Sequence, residues 1–416
     1  MRNKLKPSQR GATTLLASVV LLFAMTLAAS FANRNLVFEQ RSAANVVRST
    51  EAFEAAEAGV EWTLAMLNLR QGIGADCLPS NRAEDRNFRE RHLRFSAADG
   101  IQLPLTWDAA GKPTPLLAAC ARGADAWACS CPSGGRPSPV TPTGANARPA
   151  FSVQLAAGPK PGLVRLVATG CTSASGLCGS EGGARIDLLL ALVPGLSTPP
   201  AAPLTAKDGV NISGAVGVHN PDAVSGGVTV HSGASVMLAS ARVTTTPGSP
   251  SVMSFVERDA ALASTTSDAF FAGFFGLDKN AWRDQPAVTR LSCESNCAAA
   301  LAAAIGDGRN LLVWIDGDLT IEGPVSIGSR ERPVMLVASG AVRFKGGVVL
   351  HGLVYGASVA WDAAGADSGL LRGAMVSQGG VDGSGSPDLF YDTTVLALLK
   401  GNTGSFVRVP GSWKDF

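Results

Sequence analysis

The sequence predicts an α+β protein: one very long amino-terminal helix, a group of alternating strands, and a mainly β, solenoid-like carboxy-terminal domain. Three observations lead there. Residues 12 to 58 contain neither Gly nor Pro. Phe151 to Leu155, Leu163 to Thr169 and Ala184 to Val193 read as strands. Beyond residue 206, short strands that alternate apolar and polar residues recur between glycines. A length of 416 residues leaves room for two or three domains. The 35 Lys and Arg against 33 Asp and Glu give a net charge of +2, too weak a field for a nucleic-acid binder. His92, His219, His231 and His351 lie far apart, so neither a metal cluster nor an acid-base set is evident, and no enzymatic role or cofactor is expected.

The helix opens on a membrane signal. Arg2, Lys4, Lys6 and Arg10 precede an uncharged run from Gly11 to Asn33. As a helix that run spans about 34 Å, against a hydrocarbon core of about 30 Å. The basic leader places the amino terminus in the cytoplasm and the rest outside. Ala28, Ser30 and Ala32 would suit a secretory cleavage site, but helical character continues past them to Leu69. Val46, Phe53, Val60 and Leu67 recur every seven residues, with Leu64 nearby, as an apolar stripe. Arg34, Arg41 and Arg48 repeat near the membrane, whereas Glu51, Glu54, Glu57 and Glu61 crowd the far part. One helix over residues 12 to 69 reaches about 87 Å.

The run Ser8-Gln9-Arg10-Gly11, then Ala12-Thr13-Thr14-Leu15-Leu16, resembles the type IV pilin class. With Glu54-Ala55-Ala56-Glu57-Ala58-Gly59, it is most similar to the PilX amino-terminal domain of minor pilins in pilus assembly. The resemblance covers residues 8 to 70 and implies cutting by a prepilin peptidase between Gly11 and Ala12, with the span left in place. It departs from major pilins at the fifth position after the cut, where they carry Glu and this chain carries Leu16. An intramembrane carboxylate needs a partner and Leu16 needs none, which suggests a subunit at the tip or in a priming complex. The resemblance further implies a pilin head in which the helix packs on an antiparallel sheet, with Val60, Leu64 and Leu67 on the seam. Staggered neighbours could also set Arg41 against Glu57.

Eight cysteines suit an oxidising compartment outside the inner membrane. Cys171 with Cys178 and Cys293 with Cys297 would close small loops; Cys129 and Cys131 then look elsewhere, toward Cys77 and Cys120. A zinc site fits less well, because Cys-x-Cys lacks the usual spacer. Residues 75 to 150 read as irregular, and the four prolines from Pro194 to Pro203 as a stiff linker.

The expected organisation is a leader (1–11), a transmembrane and assembly helix (12–70), a head (71–195), a linker (196–205) and a Gly-rich β-solenoid-like domain (206–416) with a helical insertion at about 252–305. The Phe270-Phe271-Ala272-Gly273-Phe274-Phe275 run with Trp282 reads as a helix capping the column or as an exposed adhesive patch. Asp316, Asp318 and Glu322 lack a calcium-loop pattern. The function expected is that of a non-enzymatic minor pilin in the inner membrane and then in a pilus. Its partners would be major and minor pilins, the prepilin peptidase and the assembly platform, and no nucleic acid. The alternatives are a minor pseudopilin of a type II secretion system, and an adhesin on a pilin stalk binding a surface or glycan.

Overall fold

In the computed structural model of the chain, residues 10–82, 84–96, 101–105, 117–123, 125–131, 149–173, 183–306, 311–363 and 369–416 are described. The leader residues 1–9, the side chains of Gly11 and Ala12, and Cys178 lie outside them. One unbroken helix runs Arg10–Asn68. Its first 42 of 59 residues stand clear of the rest of the chain, and only from Ala52 onward does it enter a core.

Ala52, Ala56, Val60, Thr63 and Leu67 are fully buried at spacings of three and four, which puts them on one face. That face lies on a seven-stranded antiparallel sheet ordered Gly404–Arg408, Gly183–Pro194, Leu163–Cys171, Ala150–Ala157, Leu117–Arg122, Trp127–Ser130, with Lys414–Asp415 also pairing Gly183–Pro194. Helix and sheet meet so closely that a Cβ at Gly170 would strike the backbone of Ala52 and Ala56. This is an α+β head, one helix face packed on an antiparallel sheet.

Two departures from the sequence reading concern this sheet. Residues 75 to 150, expected to be irregular, supply Leu117–Arg122 and Trp127–Ser130. Their alanines have little strand preference. Pairing with Ala150–Ala157 and a Cys120–Cys129 disulfide between directly opposed residues hold them extended. Gly404–Arg408, assigned by sequence to the second domain, is a strand of the head. A chain that leaves the head at Pro194 returns to it 210 residues later beside that same residue, since Gly404 pairs with Pro194.

Between Leu204 and Phe390 every described strand pairing is parallel. The strands form a twelve-stranded and a six-stranded sheet. Val210, Val218, Leu319, Val342, Leu350 and Val359 belong to one apolar column shared by the two. Spatial order differs from chain order. Leu204–Ala206, the first strand, sits beside Leu370–Ser377, near the last, and the next turn of chain, Val230–Ser232, pairs on its other side. The chain therefore enters mid-stack, builds to one end, crosses to the other and fills back to its starting point.

The crossing segment explains the helical insertion. Helix Ser267–Phe275 is held by a Thr266 cap at its start and left-handed Gly276 at its end. It places Phe270, Phe271 and Phe275, together with Trp282, against Trp314, Met335, Val337, Leu353 and Tyr355. All four aromatic side chains are buried, so the exposed-patch reading fails. Nor do they cap the column. They cover the outer face of the large sheet, where strand Val334–Ala338, and Leu312–Asp316 up to its exposed terminal Asp316, are apolar because both faces are buried. Leu301 and Ile305 of helix Ala298–Ile305 reach the column itself, beside the Cys293–Cys297 disulfide. The proline-rich stretch is tied down rather than free: Leu196 and Ala202 are buried and the Tyr391 hydroxyl donates to the Pro200 carbonyl at 2.8 Å.

Candidate assembly surface and its anchoring junction

From Thr13 to Glu51 every described side chain on the helix is exposed, and the apolar ones are large: Leu15, Val20, Phe23 and Phe31 are among them. Leu16 is 68% exposed. An 18-residue window reaches a mean hydropathy of 2.3 and meets the length and composition of a membrane span. So much apolar surface is unfavourable in water at about 25 cal/mol per Å², and it calls for lipid or other helices. Beyond it Arg34, Arg41 and Arg48, then Glu51, Glu54 and Glu57, leave a charge gradient along the exposed rod.

The helix residues named from sequence divide at Ala52. Val60 and Leu67 are fully buried in the head and Phe53 and Leu64 are half-buried against it. Val46 is 62% exposed and makes no seam, because the head begins one and a half turns further on. Cys77 bonds Cys131, Cys120 bonds Cys129 and Cys293 bonds Cys297. Cys171 is disulfide-bonded as well, and its expected partner Cys178 falls outside the described residues. No group of His, Cys, Asp and Glu suited to a metal occurs among the described residues.

The rod is fastened to the rest by a polar junction that no motif announces. At the last helical residue, the Asn68 side chain behaves like a strand backbone. Its Nδ2 donates to the Phe406 carbonyl at 3.1 Å and its Oδ1 accepts the Phe406 amide at 2.8 Å. Arg89 donates through Nε to the Leu67 carbonyl at 3.1 Å and through Nη2 to the Gly404 carbonyl at 2.9 Å, with its guanidinium 4.8 Å above the Phe406 ring. Arg70 reaches the same Gly404 carbonyl at 3.2 Å. Burial pulls Arg70 down to about 10, with Glu90 acting in the opposite sense, and pulls Arg89 well below the usual guanidinium range. On the far side, Gln102 Nε2 donates to the Gly401 carbonyl at 3.1 Å and to Asn402 Oδ1 at 2.8 Å, at the end of helix Thr393–Asn402. The only sequence signal was polar residues set among apolar ones, as in Phe88-Arg89 and Leu69-Arg70.

His92 lies in the same core, its ring 4.2 Å from that of Phe88. Burial first, and the Arg91 charge second, lower its pKa to about 4. The folded protein therefore excludes a proton that the unfolded chain binds at its ordinary value near 6.5. Stability from this group is complete above pH 6.5 and is lost as pH falls toward 4, by on the order of 3 kcal/mol. Unfolding midpoints across that window should drop for the parent and flatten for His92→Gln. Half-buried His351 shifts in the same direction, so an equally steep variant would assign the loss to it instead.

The arrangement is an apolar helix projecting from a helix-on-sheet head. Residues 10–61 match the family model described as PilX N-terminal, over the projecting part of the helix and its entry into the head. Among solved structures the chain is similar to the competence-associated pilin ComZ from Thermus thermophilus, at 13% identity over 89% of this chain and 97% of that one, with a TM-score of 0.22. No curated protein matches the chain.

Proposed function

We propose that this chain is a non-enzymatic minor pilin that enters a type IV pilus, or the complex that starts one, by its amino-terminal helix. The observation that carries this is the exposed helix from Thr13 to Glu51, uncharged as far as Asn33, standing clear of the head over residues that match the PilX N-terminal model. In this reading the helix crosses the inner membrane with its amino terminus in the cytoplasm and the head in the periplasm. A prepilin peptidase cuts between Gly11 and Ala12, and other pilins then receive the apolar rod under the action of the assembly platform. The charge gradient supports staggered packing, Arg41 of one subunit toward Glu57 of another, worth at most about 1 kcal/mol per exposed pair. Leu16 presents no carboxylate to a neighbour's amine, which favours a tip or priming position. It equally suits a minor pseudopilin of a secretion system, the second reading. The parallel sheets and their shared column support a β-solenoid carried outward by the head, with helix Ala298–Ile305 closing one end.

The test is the mature amino terminus. Mass spectrometry of membranes should find Ala12 first when the prepilin peptidase is present and the intact leader when it is deleted. A start near Asn33 that ignores the peptidase would make this a secreted β protein and remove the assembly role.

A further inference from the structure

The large parallel sheet has an outer face of two halves. One is covered by the aromatic helix; the other carries a polar row. His351, Arg372, Phe390, His219 and Thr244 stand in register on five adjacent strands, all directed away from the apolar column that holds Leu350, Leu371, Leu389 and Val218. At a strand spacing of about 4.8 Å the row is about 19 Å long. Its members are mutually fixed. The Arg372 guanidinium lies 5.2 Å over the Phe390 ring, and Phe390 stacks on His219 with centroids 4.3 Å apart. His219 Nδ1 is 2.7 Å from Thr244 Oγ1, and its Nε2 is 3.3 Å from Asp388 Oδ1.

The cation of this row is met differently from those on the opposite sheet. On the six-stranded sheet Arg343 meets Asp318 and Lys345 meets Glu322, each at 2.7 Å, and the charges cancel. Asp388 is engaged by Arg242 at 2.6 Å. Arg372 lies over a ring, yet among the described residues nothing accepts its hydrogen bonds. Beside it in register, His351 Nδ1 is buried with no partner.

The geometry points to a binding site for an acidic polysaccharide built of uronic acids, lying along the row with a carboxylate on Arg372. A preorganised guanidinium fork takes a carboxylate in bidentate fashion. The Phe390 and His219 rings offer a flat apolar edge, while Thr244, His351 and the free lone pairs of Asp388 suit sugar hydroxyls. A phosphodiester chain fits less well, since it wants a cation at each step and here the Asp388 carboxylate interrupts them. The inference is independent of how the amino-terminal helix is used.

Full-length protein in detergent micelles, titrated with fluorescently labelled oligogalacturonate and followed by anisotropy, tests it. Saturable binding is expected, weaker by about tenfold or more in Arg372→Gln, as befits loss of a charge-assisted hydrogen bond. Methyl esterification of the oligosaccharide should weaken it similarly, and Arg343→Ala on the other face should leave it unchanged. The Arg372→Gln unfolding midpoint should stay close to the parent, because among the described residues that side chain makes no hydrogen bond and gives up only its contact with the Phe390 ring. No binding, equal binding by Arg372→Gln, or tighter binding of a single-stranded DNA oligonucleotide would overturn the proposal.

Discussion

Removing residues 403 to 416 is expected to unfold the head while leaving the parallel sheets folded. The lost segment is the last in sequence and, by position alone, a dispensable tail. Its burial says otherwise. Phe406 is 2% exposed and belongs to the head core that also holds Val60, Leu190 and Phe151. Loss of such a phenyl ring typically costs about 3 to 5 kcal/mol. The Gly404 carbonyl vanishes at the same time, and with it an acceptor for both Arg70 and Arg89. Asn68 loses the backbone it pairs with, and strand Gly183–Pro194 becomes an open edge. Against a total stability of about 5 to 15 kcal/mol, these losses leave little. Limited proteolysis with mass mapping should show new cuts between residues 70 and 195 in the truncated protein and continued resistance between 204 and 390. Unchanged resistance of the head would mean that its five other strands suffice.

The same segment marks where the sequence stopped being informative. The long helix was legible because it needs only local facts, namely absence of Gly and Pro and a seven-residue apolar recurrence. The Gly-bounded strands such as Leu319–Glu322 and Val342–Lys345 were legible for the same reason, each alternating core and solvent. Which strand sits beside which is a long-range fact. Nothing in Gly404-Ser405-Phe406-Val407 marks Leu190 to Pro194 as its partner, and nothing in Leu204-Thr205-Ala206 marks Met375 to Ser377. The phenylalanine run shows a subtler failure. Capping and adhesion were both argued from its apolarity, yet its place was written in the strands. Val334-Met-Leu-Val-Ala338 is apolar at every position, a pattern that requires cover on both faces. The rod's surface from Thr13 to Glu51 was readable as well, because no described part of the chain covers it.

Arg89→Met should cost about 3 kcal/mol or more, whereas Arg70→Met, a few ångströms away in the same core, should change stability by no more than about 1 kcal/mol. Both guanidiniums are buried and neither has a carboxylate in hydrogen-bond contact. The difference is in what surrounds them. Arg89 lies where two helices end. It bonds the Leu67 carbonyl in the last turn of the long helix and the Gly404 carbonyl just past helix Thr393–Asn402, and it lies 3.5 Å from the Asn402 carbonyl. Orphan carbonyls and the negative ends of two helix dipoles thus take the place of a counter-ion. Methionine fills the volume but strands the Leu67 carbonyl in an apolar core. Arg70 makes one bond to a carbonyl that Arg89 already satisfies, leaves its Nε without a partner, and repels Arg89. Its removal relieves a desolvated like charge while leaving Gly404 bonded. Urea unfolding of each variant measures the pair, and equal losses would refute the asymmetry. The consequence reaches the rod itself: Arg89 joins the long helix, the returning strand and the helix that lies on the large sheet.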